Sequence, residues 1–251
     1  MSGHSKWAQI KRKKAVTDAK RGAVFSKISK EIMVAARLGG PDPVHNFRLR
    51  FAIEKAKTNL MPQNNIQRAI EKGAGLDAAE KIEEIIYEGY GPGGAAILVL
   101  CTTDNKNRTV ADLRSYFSKY HGKFAESGAV GWMFAKRGEI KISKSSFKNQ
   151  DQIYELAIEA GAEDIDFSDE ELAVIITKPE ELEKVQKNII AKNIKPIETQ
   201  LSYHAKEHIE ITDPDSAKNI VKLLEAIEDH DDVQEVYSNF DITVGAGFIL
   251  P

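Results

Sequence analysis

The residues most able to do chemistry lie at the start of the chain. Lys6, Lys11, Arg12, Lys13 and Lys14 are followed closely by Lys20 and Arg21. Cations this dense suit phosphates, because neutralising a polyanion releases its counterions and so favours binding. Trp7 sits inside the run and could stack on an unpaired base or wedge a groove. It could equally anchor a small helical core. Arg37, Arg48, Arg50, Lys55 and Lys57 could extend the surface, or sit as ordinary exposed helix residues, some paired with Glu31 and Glu54. Lys106 and Arg108 open a helix behind Asp104, whose carboxylate is the expected N-cap. Such contacts to phosphate position a protein but read no base sequence.

Other chemistries find little support. Cys101 is the single cysteine, set in an apolar run, and reads as a small buried hydrophobe, which points to the cytosol or another reducing compartment. The six histidines are scattered, and His204 and His208 fall in strand and turn rather than on one helix face. No Ser-His-Asp or Cys-His set can be assembled, and neither a catalytic residue, a metal site nor a cofactor is expected. Gly89 to Gly94 has the glycines of a phosphate loop but lacks Gly-Lys-Ser/Thr and lies between two strands, so a hairpin connection is expected. The acidic stretches at Glu163 to Glu171 and Asp229 to Asp232 read as solvated faces, with a basic protein partner as the sharper alternative. No apolar run is long enough to span a bilayer, and the N-terminus has no signal-peptide core.

Around these residues the charge is sharply divided. Residues 1–77 carry 16 Lys and Arg against 6 Asp and Glu, net +10, and the remaining residues carry 19 against 32, net −13. The whole-chain −3 hides this dipole. Helical spacing organises the basic part. A thinly amphipathic helix is predicted over Ser5 to Ala19, and another is carried by Phe25, Ile28, Ile32 and Ala35. Gly39-Gly40-Pro41 ends that helix. Further helices run from Val44 to Asn59 and from Pro62 to Gly73. Near Asp77 the period changes. Strands are expected at Ile82 to Tyr90, Ala95 to Thr103 and Val130 to Phe134, with a helix from Asn105 to His121. Residues 139–202 then run β-α-β-β-α-β, the ferredoxin-like order. A helix from Asp215 to Asp229 and a strand from Val233 to Phe240 follow.

The expected fold is α plus α+β: a basic helical bundle and two ferredoxin-like-type α+β domains, one inserted in the other. The expected boundaries are 1–77 for the nucleic-acid-binding bundle, 78–137 with 205–251 for a discontinuous middle domain, and 138–204 for the insertion.

Several segments together resemble the YebC family. They are Gly3-His4-Ser5-Lys6-Trp7, Asp18-Ala19-Lys20-Arg21-Gly22, Val34-Ala35-Ala36-Arg37, Arg48-Leu49-Arg50, Met61-Pro62 with Asn65-Ile66, Tyr87 to Gly94, Thr103 to Thr109 and Gly131-Trp132-Met133-Phe134. That family holds YebC/PmpR-type bacterial proteins described as transcriptional regulators and a mitochondrial branch of translational activators. The resemblance implies a cytoplasmic, non-enzymatic regulator of gene expression built of three domains. Its described modes are binding of promoter DNA and action at the ribosome. The expected function is therefore a DNA-binding transcriptional regulator. The alternatives are a ribosome-associated translational activator that binds RNA, and an adaptor that docks a basic partner on its acidic domains. No membrane or small-molecule partner is expected.

Overall fold

The computed structural model describes residues 20–75 and 82–243. The helix expected at Ser5 to Ala19 lies outside them.

Three helices form the bundle: α1 (Lys20–Gly39), α2 (Phe47–Thr58) and α3 (Gln63–Gly73). Ile28, Ile32, Leu49, Ala52, Ile66 and Ala69 recur at helical spacing and close on one another as its core. Asn46 makes the first corner. Its side chain donates to the carbonyls of Ala35 and Gly40 and accepts from the Leu49 amide, so one buried amide ends α1 and caps α2. Gly40 takes the left-handed conformation (φ +88°) at that corner. At the α1–α3 crossing, a Cβ on Gly73 would lie 2.4 Å from the Met33 carbonyl oxygen, so only glycine allows the helices this close.

The first sheet contains β1 (Glu83–Tyr90), β2 (Ala96–Thr103), β3 (Lys123–Ala125) and β9 (Val233–Ser238), in the order β3-β1-β2-β9. All its pairings are antiparallel. Helices α4 (Lys106–Lys119) and α7 (Pro214–Glu228) cover one face, packing Leu113, Phe117, Ile220 and Leu224 on Ile97, Val99 and Cys101. The glycine-rich segment is the β1–β2 connection, as expected from its sequence.

The second sheet contains β4 (Phe134–Ser143), β5 (Asp164–Asp166), β6 (Leu172–Thr177) and β7 (Glu198–Ala205), in the order β5-β6-β4-β7. Helices α5 (Gln150–Ala160) and α6 (Leu182–Ala191) lie on one face. This is the β-α-β-β-α-β arrangement anticipated from the element order. A short parallel pair, β8 (Ile209–Ile211) with β10 (Phe240–Ile242), was not anticipated.

Two local expectations are corrected. Residues 131–133 form a 3-10 turn rather than the start of a strand, and strand geometry begins only at Phe134. The cap of α4 is Asn105, whose side chain accepts from the Arg108 amide, while Asp104 pairs with the Arg108 guanidinium.

The uncovered face of the first sheet is closed by its neighbours. Tyr203 and Ala205 of β7 and Phe134 of β4 pack there with Leu98 and Tyr237. Helix α2 fills the remaining angle between the sheets, and its Phe51 enters the core of the second sheet's layer.

Candidate nucleic-acid interface

The cations predicted to meet phosphate fall into three groups. Lys6, Trp7, Lys11, Arg12, Lys13 and Lys14 lie outside the described residues, and Lys20 and Arg21 form the first turn of α1. A second group is paired with carboxylates of the fold, Arg48, Arg50 and Lys55 from part-buried positions and Lys106 and Arg108 from exposed ones. Arg48 pairs with Glu84 of β1, and Arg50 with Glu183 of α6 at 2.6 Å. Lys55 bonds Glu31 at 3.0 Å. Burial opposes charging of Lys55, but Glu31, Glu235 and Glu198 outweigh it and hold its ammonium well above the usual lysine range. These three carboxylates come from α1, β9 and β7, so one lysine gathers charge from all three parts of the molecule. Lys106 pairs with Glu83 at 2.7 Å, and Arg108 with Asp104 and Asp232 at 2.9 and 3.0 Å.

The third group faces solvent. The Arg37 guanidinium donates to the Ile82 carbonyl at 3.1 Å and makes no ion pair among the described residues. Lys57 is exposed and makes no ion pair among the described residues. The same holds for Arg68 and Lys72, one turn apart on α3. Those two were not singled out from sequence. Their position off the Ile66, Ala69, Ile70 stripe was the available signal.

Asp232 corrects another expectation. The acidic stretch at Asp229 to Asp232 was a candidate docking face, yet the Asp232 side chain is only 2% exposed. It accepts from Lys30 at 2.8 Å, Arg108 at 3.0 Å, Thr109 at 2.9 Å and Thr103 at 3.1 Å. Burial alone would raise its pKa, but these donors hold it far below the usual carboxylate range. Asp232 thus ties α1 to the first sheet. The histidines hold structure in the same way. His230 meets Asp112 at 3.1 Å, and His204 meets the buried Glu139 at 2.7 Å. Cys101 is buried as expected, and burial pushes its thiol up to about 12. Among the described residues no cluster of His, Cys, Asp and Glu could hold a metal, and no helix is long and apolar enough to cross a membrane.

Fold and charge together define the class: a basic helical bundle wedged against two acidic α+β layers, with cations turned both inward to carboxylates and outward to solvent. The chain belongs to the TACO1/YebC family. The model for the TACO1/YebC protein N-terminal domain matches residues 5–76, and that for the TACO1/YebC second and third domain matches residues 82–240. A probable transcriptional regulatory protein of Desulfotalea psychrophila is 52% identical over 242 residues, 96% of each chain. Another of that description, from Chlorobaculum tepidum, is 47% identical over 100% of this chain and 99% of its own. The crystal structure of a conserved hypothetical protein from Aquifex aeolicus superposes with a TM-score of 0.89 at 46% identity, covering 97% of this chain and 99% of that one.

Proposed function

We propose that this protein is a nucleic-acid-binding regulator of gene expression that acts on DNA in transcription, through its basic N-terminal part. The observation that carries this is the charge division: residues 1–77 hold net +10 against −13 in the rest. A polyanion is attracted to one end and repelled from the other, which orients the encounter. The relatives described as probable transcriptional regulatory proteins favour DNA as the ligand and a regulatory role. On this reading the contacts are Lys6, Lys11, Arg12, Lys13, Lys14, Lys20, Arg21, Arg37 and Lys57, to which Arg68 and Lys72 are added. Arg48, Arg50 and Lys55 instead hold the bundle on the sheets. The protein works by binding rather than catalysis. Glu88, Glu139, Asp166 and Asp232, the buried carboxylates among the described residues, are each engaged by donors within the fold.

The test is a salt series on duplex DNA with the intact chain and with Lys13→Glu plus Lys14→Glu. Two lost phosphate contacts should flatten the slope of log K against log salt by about 2. An unaltered slope and affinity would refute the assignment. Sedimentation with ribosomes, lost on removing residues 1–21 and unaccompanied by footprints on DNA, would move the ligand from DNA to ribosomal RNA.

A further inference from the structure

Trp132 is held out from the protein by an unusually complete set of bonds. The segment from Glu126 to Met133 joins β3 to β4 and crosses over Glu88 of β1. The Glu88 carboxylate is buried and accepts three amides: Gly128 at 2.8 Å, Val130 at 2.6 Å and Gly131 at 2.8 Å. Burial alone would raise its pKa, but these three N–H groups lower it, so it stays ionised as the anchor. The Ala129 carbonyl receives the Tyr90 hydroxyl at 3.0 Å, and the Met133 amide closes on the Val130 carbonyl at 2.9 Å. Val130 and Phe134 are buried on either side, against Ala96 and Leu98. Gly131 cannot carry a side chain without cost, since a Cβ would lie 3.2 Å from Glu88 Oε1.

Between those two buried residues the Trp132 side chain is 65% exposed. A tryptophan that served packing would turn toward the apolar cluster beneath it. This one instead presents its ring to solvent from a segment whose backbone is fixed. Its single polar group is already used, because Nε1 donates to the Ala129 carbonyl at 3.2 Å. The ring therefore offers a π face and no free hydrogen bond. The Lys206 ammonium donates to the Trp132 backbone carbonyl at 2.7 Å, which fixes a positive charge at this residue. That charge disfavours a cationic ligand and favours a flat group that carries an anion.

We propose that Trp132 is a stacking platform for an unpaired base of a nucleic acid, with Lys206 beside it to meet the adjoining phosphate. Base–aromatic stacking needs a π face and tolerates any base. This rests on the nucleic-acid reading above and adds a contact on the first sheet, away from the basic segment. It implies that the ligand has an unstacked or single-stranded stretch.

The chain has two tryptophans, so in a Trp7→Phe background Trp132 reports alone. Within that background, oligothymidylate, oligouridylate and a DNA duplex are titrated, following indole fluorescence and the anisotropy of a labelled strand. The expected result is quenching by a single strand. Trp132→Ala should weaken single-strand binding by about 5- to 150-fold with duplex binding unaltered, and Trp132→Phe should restore most of it. The thymidylate and uridylate arms tell DNA from RNA. Binding by anisotropy without quenching, or wild-type affinity in Trp132→Ala, overturns the platform and leaves the regulator reading intact. If the unsubstituted chain binds no strand and no duplex, both fall.

Discussion

Asp232 shows how a single residue can look like one thing in sequence and be another in the fold. Flanked by acids, it reads as part of a solvated face. In the structure two cations and two hydroxyls converge on it. Asp232→Asn should cost about 2–3 kcal/mol, the scale of hydrogen bonds to charged groups, read by denaturant unfolding. The folded pKa lies below the unfolded value of about 3.9. The stabilisation is therefore fully present above about pH 4 and is lost as pH falls below it. Unfolding midpoints of the wild type should fall on acidification, and those of Asp232→Asn should fall less. Cys101 gives a simpler expectation. Buried, with its thiol pushed up to about 12, it should resist a disulfide reagent at pH 8 until the protein unfolds.

At the scale of elements, two close approaches decide how pieces meet. Helices α1 and α3 cross where Gly73 faces the Met33 carbonyl. Gly73→Ala gains helix propensity of up to about 1 kcal/mol but forces a carbon to 2.4 Å from a backbone oxygen. Backbone cannot yield as a side-chain tip does, so overpacking of about 1–3 kcal/mol should dominate. Thermal unfolding should show a lower midpoint. The β3–β4 connection depends on Glu88 in the same decisive way. Glu88→Ala strands the buried Val130 amide, at about 1–3 kcal/mol, and removes the acceptor of the part-buried Gly128 and Gly131 amides, which water can partly replace. In the Trp7→Phe background it should also lower the steady-state anisotropy of Trp132. If Trp132 stays as ordered as before, the loop is held by something other than Glu88.

For the whole molecule, charge joins the bundle to both sheets, beside the apolar anchor that Phe51 provides in the second layer. Arg48 reaches β1, Arg50 reaches α6 and Lys30 reaches Asp232. The first two pairs are partly exposed, and pairs of that kind contribute below about 1 kcal/mol each and are screened by salt. Replacing both Arg48 and Arg50 by alanine should therefore barely move the melting midpoint yet loosen the seating of α2 between the sheets. Small-angle scattering should show a larger radius of gyration than the wild type. The Asp232 cluster, being buried, should keep α1 in place as salt rises. The carboxylates thus occupy cations that composition alone would assign to nucleic acid, and they leave Arg37, Lys57, Arg68 and Lys72 facing outward.

What the amino-acid sequence determined by itself was local or additive. Apolar spacing placed α1 to α7 and most main strands to within a few residues, because the 3.6 and 2.0 periods are properties of neighbouring residues, but β4 was read as two strands, 130–134 and 139–143, where the structure has one. Asn46 and Gly39-Gly40 marked a helix corner, and summed charge divided the chain into basic and acidic parts. The short β3, β8 and β10 were missed, while β5, equally short, was anticipated as part of the β-α-β-β-α-β run. What only the tertiary structure decided was which charges meet. Arg50 and Glu183 are 133 positions apart, and Lys30 and Asp232 are 202 apart. No spacing rule links such residues, and an ion pair forms only where packing of distant layers brings its partners together. The same holds for Trp132. A run of apolar residues from Val130 to Phe134 looks like a strand whichever way its side chains point. Only a carboxylate reaching from β1 turns it into a tight corner, burying Val130 and Phe134 and leaving the indole between them in solvent.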